Sequence, residues 1–313
     1  MNKDINFNNE HIQKNLARLC VVPTYVTESG KVCFRPFRFC TDDYSGYGYT
    51  FDSEFDKKTI NNLIKNNAIR TRVSKSKEAQ AARTVEKAEV FTPSWICEKM
   101  VNQSITTMFT HTNNKIYSDE ELRSVVDEII YERPFTRDEY NYFISMKWQE
   151  ACCGEAPYIV SRYDTTTGED INIYNRIGFL DRKLQLISRF MRDKAAWLED
   201  VKAAYETTYS FEYQGDNLFI ARCNLLLTFI DYYKDCFGEE PEEKYVEEIA
   251  EIIKRNIIQM DGMTLLKPGK TEECKENLAY YYDWKKAGWN MKCYVSYYEL
   301  DGNELPVEQM SLF

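Results

Sequence analysis

Three short polar turns in the second half of the chain carry the residue types of a ligand site. They are Glu150-Ala151-Cys152-Cys153-Gly154-Glu155-Ala156, then Glu212, then Asp261-Gly262. Small residues let backbone amides come close to a ligand, because bulky Cβ substituents would block the approach. A carboxylate ending a following strand can accept both hydroxyl protons of a ribose. A third can accept from an exocyclic amine such as adenine N6. Carboxylates repel phosphate, so the ligand that suits all three is an adenosine carrying positive charge rather than a nucleotide. Spacing alone leaves open the alternative of simply solvated carboxylates.

These turns need elements to position them. From about residue 145 the pattern reads strand, helices, strand, helices, strand, which predicts a parallel sheet covered by helices. Ligands in such sheets sit at the carboxyl ends of the strands. Residues 177–209 read as helical with an interruption near Asp193, and 209–212 as a short strand. Residues 216–233 and 242–255 read as helices, the second acidic at its start and basic at its end, as the macrodipole favours. Residues 256–262 read as strand then turn. Upstream, Ser118-Asp119-Glu120-Glu121 is a capping-box signature for a helix over 118–130. Thr92-Pro93 opens another helix at Ser94. Residues 18–39 predict a β-hairpin turning at Gly30, followed by a Gly/Tyr/Asp-rich loop over 41–52; a last strand is expected over 292–300.

A chain of 313 residues accommodates one large domain or two modest ones. With 23 Tyr, 17 Phe and 5 Trp against 12 Gly and 8 Pro, it is neither disordered nor low-complexity. Forty Lys+Arg against fifty Asp+Glu leave a net charge of −10, which excludes a protein that coats nucleic acid nonspecifically. Any nucleic-acid contact must be local. The candidate is the segment holding Lys65, Arg70, Arg72, Lys75, Lys77 and Arg83, which reads either as a solvated helix face or as a phosphate-contacting surface. The 10 cysteines include no C-x-x-C pair and are joined by only two imidazoles, His11 and His111. Reduced thiols, and no metal site, are expected. With no secretory h-region and no apolar run long enough for a bilayer, a cytoplasmic protein without a membrane partner is expected.

Several segments together resemble bacterial N6-adenine DNA methyltransferases, in particular modification (M) subunits of restriction–modification systems. They are Glu89-Val90-Phe91-Thr92-Pro93, the turn from Glu150 through Pro157-Tyr158, Gly215-Asp216-Asn217-Leu218, Ala221-Arg222 and Asn224-Leu225-Leu226. The resemblance covers residues 88–265 and is strongest over 153–169 and 176–187. It implies an α/β, Rossmann-like S-adenosylmethionine-dependent methyltransferase fold, incomplete or modified. S-adenosylmethionine is the implied cofactor and DNA the implied partner. The expected organisation is an N-terminal region with the hairpin and basic segment over 1–87, a cofactor-binding domain over 88–265 and a Tyr-rich segment over 266–313. On the family's pattern Phe91, Thr92 and Pro93, with Glu150, Cys153, Gly154 and Glu155, grip the methionine part of the cofactor. Glu212 then holds the ribose hydroxyls and Asp261 the adenine amine.

Two departures qualify that pattern. The family's small-residue turn has a second glycine, where this chain has Glu155-Ala156-Pro157 after Gly154. The chain also has no Pro-Pro, hence no Asn/Asp/Ser-Pro-Pro-aromatic loop, the element that in the family accepts from the target amine and stacks on the flipped base. Catalytic residues therefore stay unassigned. The reading is a cofactor-binding protein of the adenine-specific methyltransferase type, inactive alone or completed by a second subunit. The alternative is a catalytically inactive homologue that binds a nucleic acid or protein partner and regulates or counters a bacterial defence system. The aromatic run over 280–284 is expected to close a core rather than to stack on bases.

Overall fold

A computed structural model describes residues 5–26, 32–87, 89, 92–110, 117–190, 192–272, 277, 279–284 and 288–290. The chain begins with helix α1 (Glu10–Leu19), capped by the Asn9 side chain, and runs into the antiparallel hairpin β1 (Val21–Val26) and β2 (Val32–Pro36). Arg18 and Leu19, expected in the hairpin, end the helix instead. Ile12, Leu16 and Leu19 recur at helical spacing and are fully buried, and that stripe decides the local structure.

Five helices follow: α2 (Lys57–Lys65), α3 (Lys77–Lys87), α4 (Ser94–Thr110), α5 (Asp119–Asp127) and α6 (Arg137–Ser145). Both Ser118 with Glu121 and Thr136 with Glu139 form reciprocal capping boxes. Past Asp127 the helix opens into a π-turn, Glu128–Glu132.

The sheet then builds in sequence: β3 (Trp148–Glu150), α7 (Phe179–Arg189), α8 (Lys194–Glu206), β4 (Thr208–Glu212), α9 (Gly215–Phe237), α10 (Glu243–Asn256) and β5 (Ile257–Gln259). The three strands are parallel in the order β3-β4-β5, with Glu150 opposite Ser210 and Glu212 opposite Gln259. Every residue of the central strand is buried. The result is a mixed α/β fold around a small parallel sheet. A last antiparallel pair, β6 (Tyr281–Asp283) and β7 (Gly288–Asn290), covers the end of α10, where Trp284 Nε1 donates to Asn256 Oδ1 (2.8 Å). Tyr280 is buried there, so this part of the aromatic run packs inward. The strand expected over 292–300 lies outside the described residues.

One hydrophobic cluster runs from Ile5 and Phe7 through α1, α9 and α10 to Ile257. The boundary expected near residue 87 therefore does not separate two cores. The fully buried Arg222 fixes this union: its guanidinium donates to the carbonyls of Leu19 (2.9 Å), Val21 (2.8 Å) and Ile257 (2.6 and 3.0 Å). Burial lowers its pKa from the usual arginine range, and carbonyl dipoles stand where water would otherwise solvate the charge. Among the described residues no helix is long and apolar enough to cross a membrane.

Candidate functional site

At the carboxyl ends of β3, β4 and β5 lies a cavity of about 690 Å³. Of the expected cofactor residues, Thr92, Glu150, Cys153, Gly154, Glu212 and Asp261 all line it. Pro93 and Glu155 do not, and Phe91 lies outside the described residues.

Backbone contacts hold the three turns together. After Glu150 the chain doubles back, so that Cys153 N–H donates to Phe211 O (3.0 Å) and Gly154 N–H to Glu212 Oε2 (2.7 Å). The Gly154 amide thus serves the neighbouring strand end. Met260 N–H donates to Glu212 O (3.0 Å), bringing the third turn alongside. A Cβ on Gly262 would stand 2.0 Å from Ala151 O, so only glycine lets the first and third turns touch. Ala156 has φ 67°, the left-handed backbone that glycine adopts freely. An L-residue there carries a cost of roughly 1–2 kcal/mol.

Thr92 is positioned from the other side. Thr165 Oγ1 donates to Thr92 O (3.0 Å), and Asp164 Oδ2 accepts from Ser94 N–H (2.8 Å) at the start of α4. Asp164 Oδ1 accepts from the Thr166 and Thr167 amides (both 2.8 Å). Burial pushes the Asp164 carboxyl up, but the bonds from Ser94 and Thr166 hold it well below the usual range.

The electrostatics are one-sided. Burial, reinforced by Glu212, pushes the Glu150 carboxyl up to about 8. Burial also raises Glu212, against the bonds it accepts from Gln214 and Gly154 N–H, to about 7. Glu150 Oε2, Glu89 Oε1 and Asn217 Oδ1 are buried without hydrogen-bond partners, and all three residues line the cavity. Among the described residues no lysine or arginine lines it. Asp261 Oδ1 accepts from Met263 N–H (2.8 Å) and Thr264 N–H (3.2 Å), which fixes its turn while leaving the carboxylate capacity for a further donor. The arrangement is a set of acceptors suited to a ligand rich in N–H and O–H donors and carrying positive charge.

No protein-family model, curated protein or solved structure matches this chain.

Sequence reasoning gave no role to Glu89 or Asn217, and did not bring Cys40 and Phe51 to this cavity. The last two come from the segment around the Gly/Tyr/Asp-rich loop. Gln259 anchors that segment through both backbone groups of Arg38 (3.0 and 2.7 Å). Gly215 admits it, since a Cβ there would stand 2.3 Å from Arg38 O. The low glycine count makes these positions informative, but nothing local in the sequence names their partners.

Two expectations need correction. The basic segment does not form a continuous charged face. Arg83 is 2% exposed and grips Asp216 through two nitrogens (2.6 and 2.9 Å), with Gln214 and Glu89 beside it. Lys75 Nζ lies 3.1 Å from Asp216 Oδ2, to which Tyr44 also donates (2.9 Å). Arg72 is half-buried, its side chain donating to Thr84 Oγ1 (3.0 Å), and Arg70 is half-buried with its Nε on Asn67 O (2.8 Å). Of the six residues only Lys65 and Lys77 are exposed. Asp216, fully buried in the first turn of α9, takes two of the cations expected to meet phosphate, Lys75 and Arg83. Glu155 is the second correction. Its buried carboxylate accepts from Arg72 N–H (2.6 Å) and Tyr163 OH (2.7 Å), so it braces the fold away from the cavity.

Proposed function

We propose that the cavity at the ends of β3, β4 and β5 binds S-adenosylmethionine, and that the chain is a cytoplasmic protein of the adenine-specific DNA methyltransferase type, linked to restriction–modification. One observation carries the reading: three acid-bearing turns converge on one cavity with unpaired acceptors and no cationic lining residue among those described. The cavity volume falls in the range of small-molecule sites, roughly 300–1,000 Å³. The alternating strands and helices, in the order β3-β4-β5, support one half of a Rossmann-like fold.

On this reading Glu212 accepts from the ribose hydroxyls, Asp261 from the adenine amine, and Glu150 with Thr92 faces the methionine end. The cofactor supplies an electrophilic methyl group; the chain's own residues bind and orient it. Transfer to DNA further needs an acceptor loop, and none of the Pro-Pro-aromatic type exists in the sequence. A second subunit is the proposed source. That same absence favours a second reading, a homologue that binds cofactor, nucleic acid or a protein partner without catalysis.

Calorimetry tests the first reading. Above the raised values of Glu150 and Glu212, about 8 and about 7, S-adenosylmethionine should give saturable heat and ATP none, because the ionised lining carboxylates repel phosphate. Asp261→Ala should weaken binding by about 1–3 kcal/mol, the value of a lost buried acceptor. Silence with S-adenosylmethionine, or equal heat with ATP, would sink the proposal. Labelled methyl transfer to mixed-sequence DNA then separates the readings: binding without transfer selects the inactive homologue.

A further inference from the structure

A second cavity, also about 690 Å³, shares no lining residue with the first. Thr92 lines one and Ser94 the other, so the start of α4 stands at both. Trp95, Tyr131 and Tyr174 line the second cavity and are 60%, 39% and 62% exposed. Single exposed aromatics need no explanation, but three gathered at one cleft do.

The cleft is built rather than incidental. Tyr131 sits on the π-turn Glu128–Glu132, a conformation that recurs at functional sites. Its hydroxyl donates to Tyr174 O (3.1 Å), and Tyr174 OH donates to Asp235 (2.6 Å), so both rings are set before any ligand arrives. The charged lining residues cancel. Arg123 makes two 2.6 Å bonds to Glu98, and Arg182 lies 3.6 Å from Asp127. Arg182 is 3% exposed, and its Nε is buried without a hydrogen-bond partner. Aromatic walls, balanced charge and a buried unpaired donor suit a planar, uncharged ring with acceptors on its edge.

We propose that this cleft binds a nucleobase, stacked on Trp95, Tyr131 and Tyr174, with Arg182 supplying a donor to the base edge. The proposal does not depend on what fills the first cavity. The base can come from an unpaired position in a DNA strand or from a free nucleoside, and the two sources separate experimentally.

The test is fluorescence anisotropy of the full chain with a labelled single-stranded oligodeoxynucleotide, with deoxyadenosine as competitor. Trp95→Ala and Tyr174→Ala should each weaken binding roughly tenfold, as expected for loss of one stacking ring. Trp95→Phe, which keeps a ring, should recover part of that loss. Circular dichroism should stay unchanged, because both side chains are exposed. Salt dependence should be shallow, since the cleft neutralises no phosphate. Competition by deoxyadenosine assigns the base alone as ligand; binding of the strand without competition assigns the unpaired strand position. Undiminished binding by the double alanine variant, a steep salt dependence unaffected by the aromatic changes, or no binding of either probe would overturn the proposal.

Discussion

Glu212 and Asp216 stand four positions apart, one ending β4 and the other in the first turn of α9, and both are buried. Their chemistry is opposite. Glu212 meets backbone amides and other carboxylates, and burial raises its pKa to about 7. Asp216 meets burial too, but Arg83 and Lys75 reverse its effect and hold the carboxyl far below the usual range. A buried acid supplied with cations becomes a structural tie; one left without them keeps acceptor capacity for a visitor. Two residues of the basic segment, Arg83 and Lys75, serve the first kind, and neither reaches Glu212.

The sharpest way to break this contrast is Arg83→Met. Removing Arg83 leaves buried Asp216 with Lys75 and Tyr44 alone and Glu89 without its cation, so urea unfolding should show a loss of up to about 3–5 kcal/mol. Arg83→Met with Asp216→Leu should recover much of it. A loss no larger than that of an exposed pair would mean Asp216 is not tied in this way.

Next in size is Asp164→Ala, which strips acceptors from Ser94, Thr166 and Thr167 amides. A loss of about 1–3 kcal/mol is expected in the same assay, together with weaker S-adenosylmethionine binding as the Thr92 corner loosens. Destabilisation without any change in ligand affinity would detach that corner from the site.

pH separates the two acids directly. Glu150 and Glu212 are raised, so the folded state holds their protons more tightly than the unfolded chain. Their contribution to stability is complete below the ordinary glutamate value of 4.5 and is lost as pH rises toward about 8. Asp216 is depressed, so its contribution is present above the ordinary aspartate value of 3.8 and is lost only in strong acid. Binding of a cationic ligand should run against the first trend, strengthening about tenfold as the two glutamates ionise, one pKa unit being worth about 1.4 kcal/mol. Calorimetry across that range with Glu150→Gln should show a flattened profile; an unchanged profile would remove Glu150 from the site.

The smallest effect sharpens the turn itself. Ala156→Gly should raise stability by about 0.5–1 kcal/mol, because glycine adopts the φ of 67° without strain. Destabilisation would show that the Ala156 methyl group, buried in the core, matters more than the backbone it strains.

Much of the sheet was readable because its signals are local. Asp193 caps α8, Ser118 and Glu121 box α5, and the buried central strand carries its own β-prone run. The ends of those strands followed, and with them Glu150, Cys153, Gly154, Glu212 and Asp261 of the cavity, whereas Thr92 came from the resemblance alone. What could not be read depends on distance along the chain. Arg83 finds Asp216 133 positions away, and no periodicity encodes that a basic side chain will turn inward. Glu155 looked like part of a ligand turn because it follows Cys153 and Gly154, which line the cavity; only the approach of Arg72 turns it elsewhere. Trp95, Tyr131 and Tyr174 are scattered over three elements, and only the fold gathers them.

Arg222 has a consequence for synthesis. It lies 203 positions after Leu19, whose carbonyl it holds. At ~5–20 residues per second, roughly 10–40 s pass between translation of the first helix and arrival of the guanidinium that binds its end. For that interval Ile12, Leu16 and Leu19 have neither α9 nor α10 to cover them. Throughout it the nascent chain carries this apolar stripe without its two helical partners, and chaperone engagement at residues 10–19 is the event this order of elements invites.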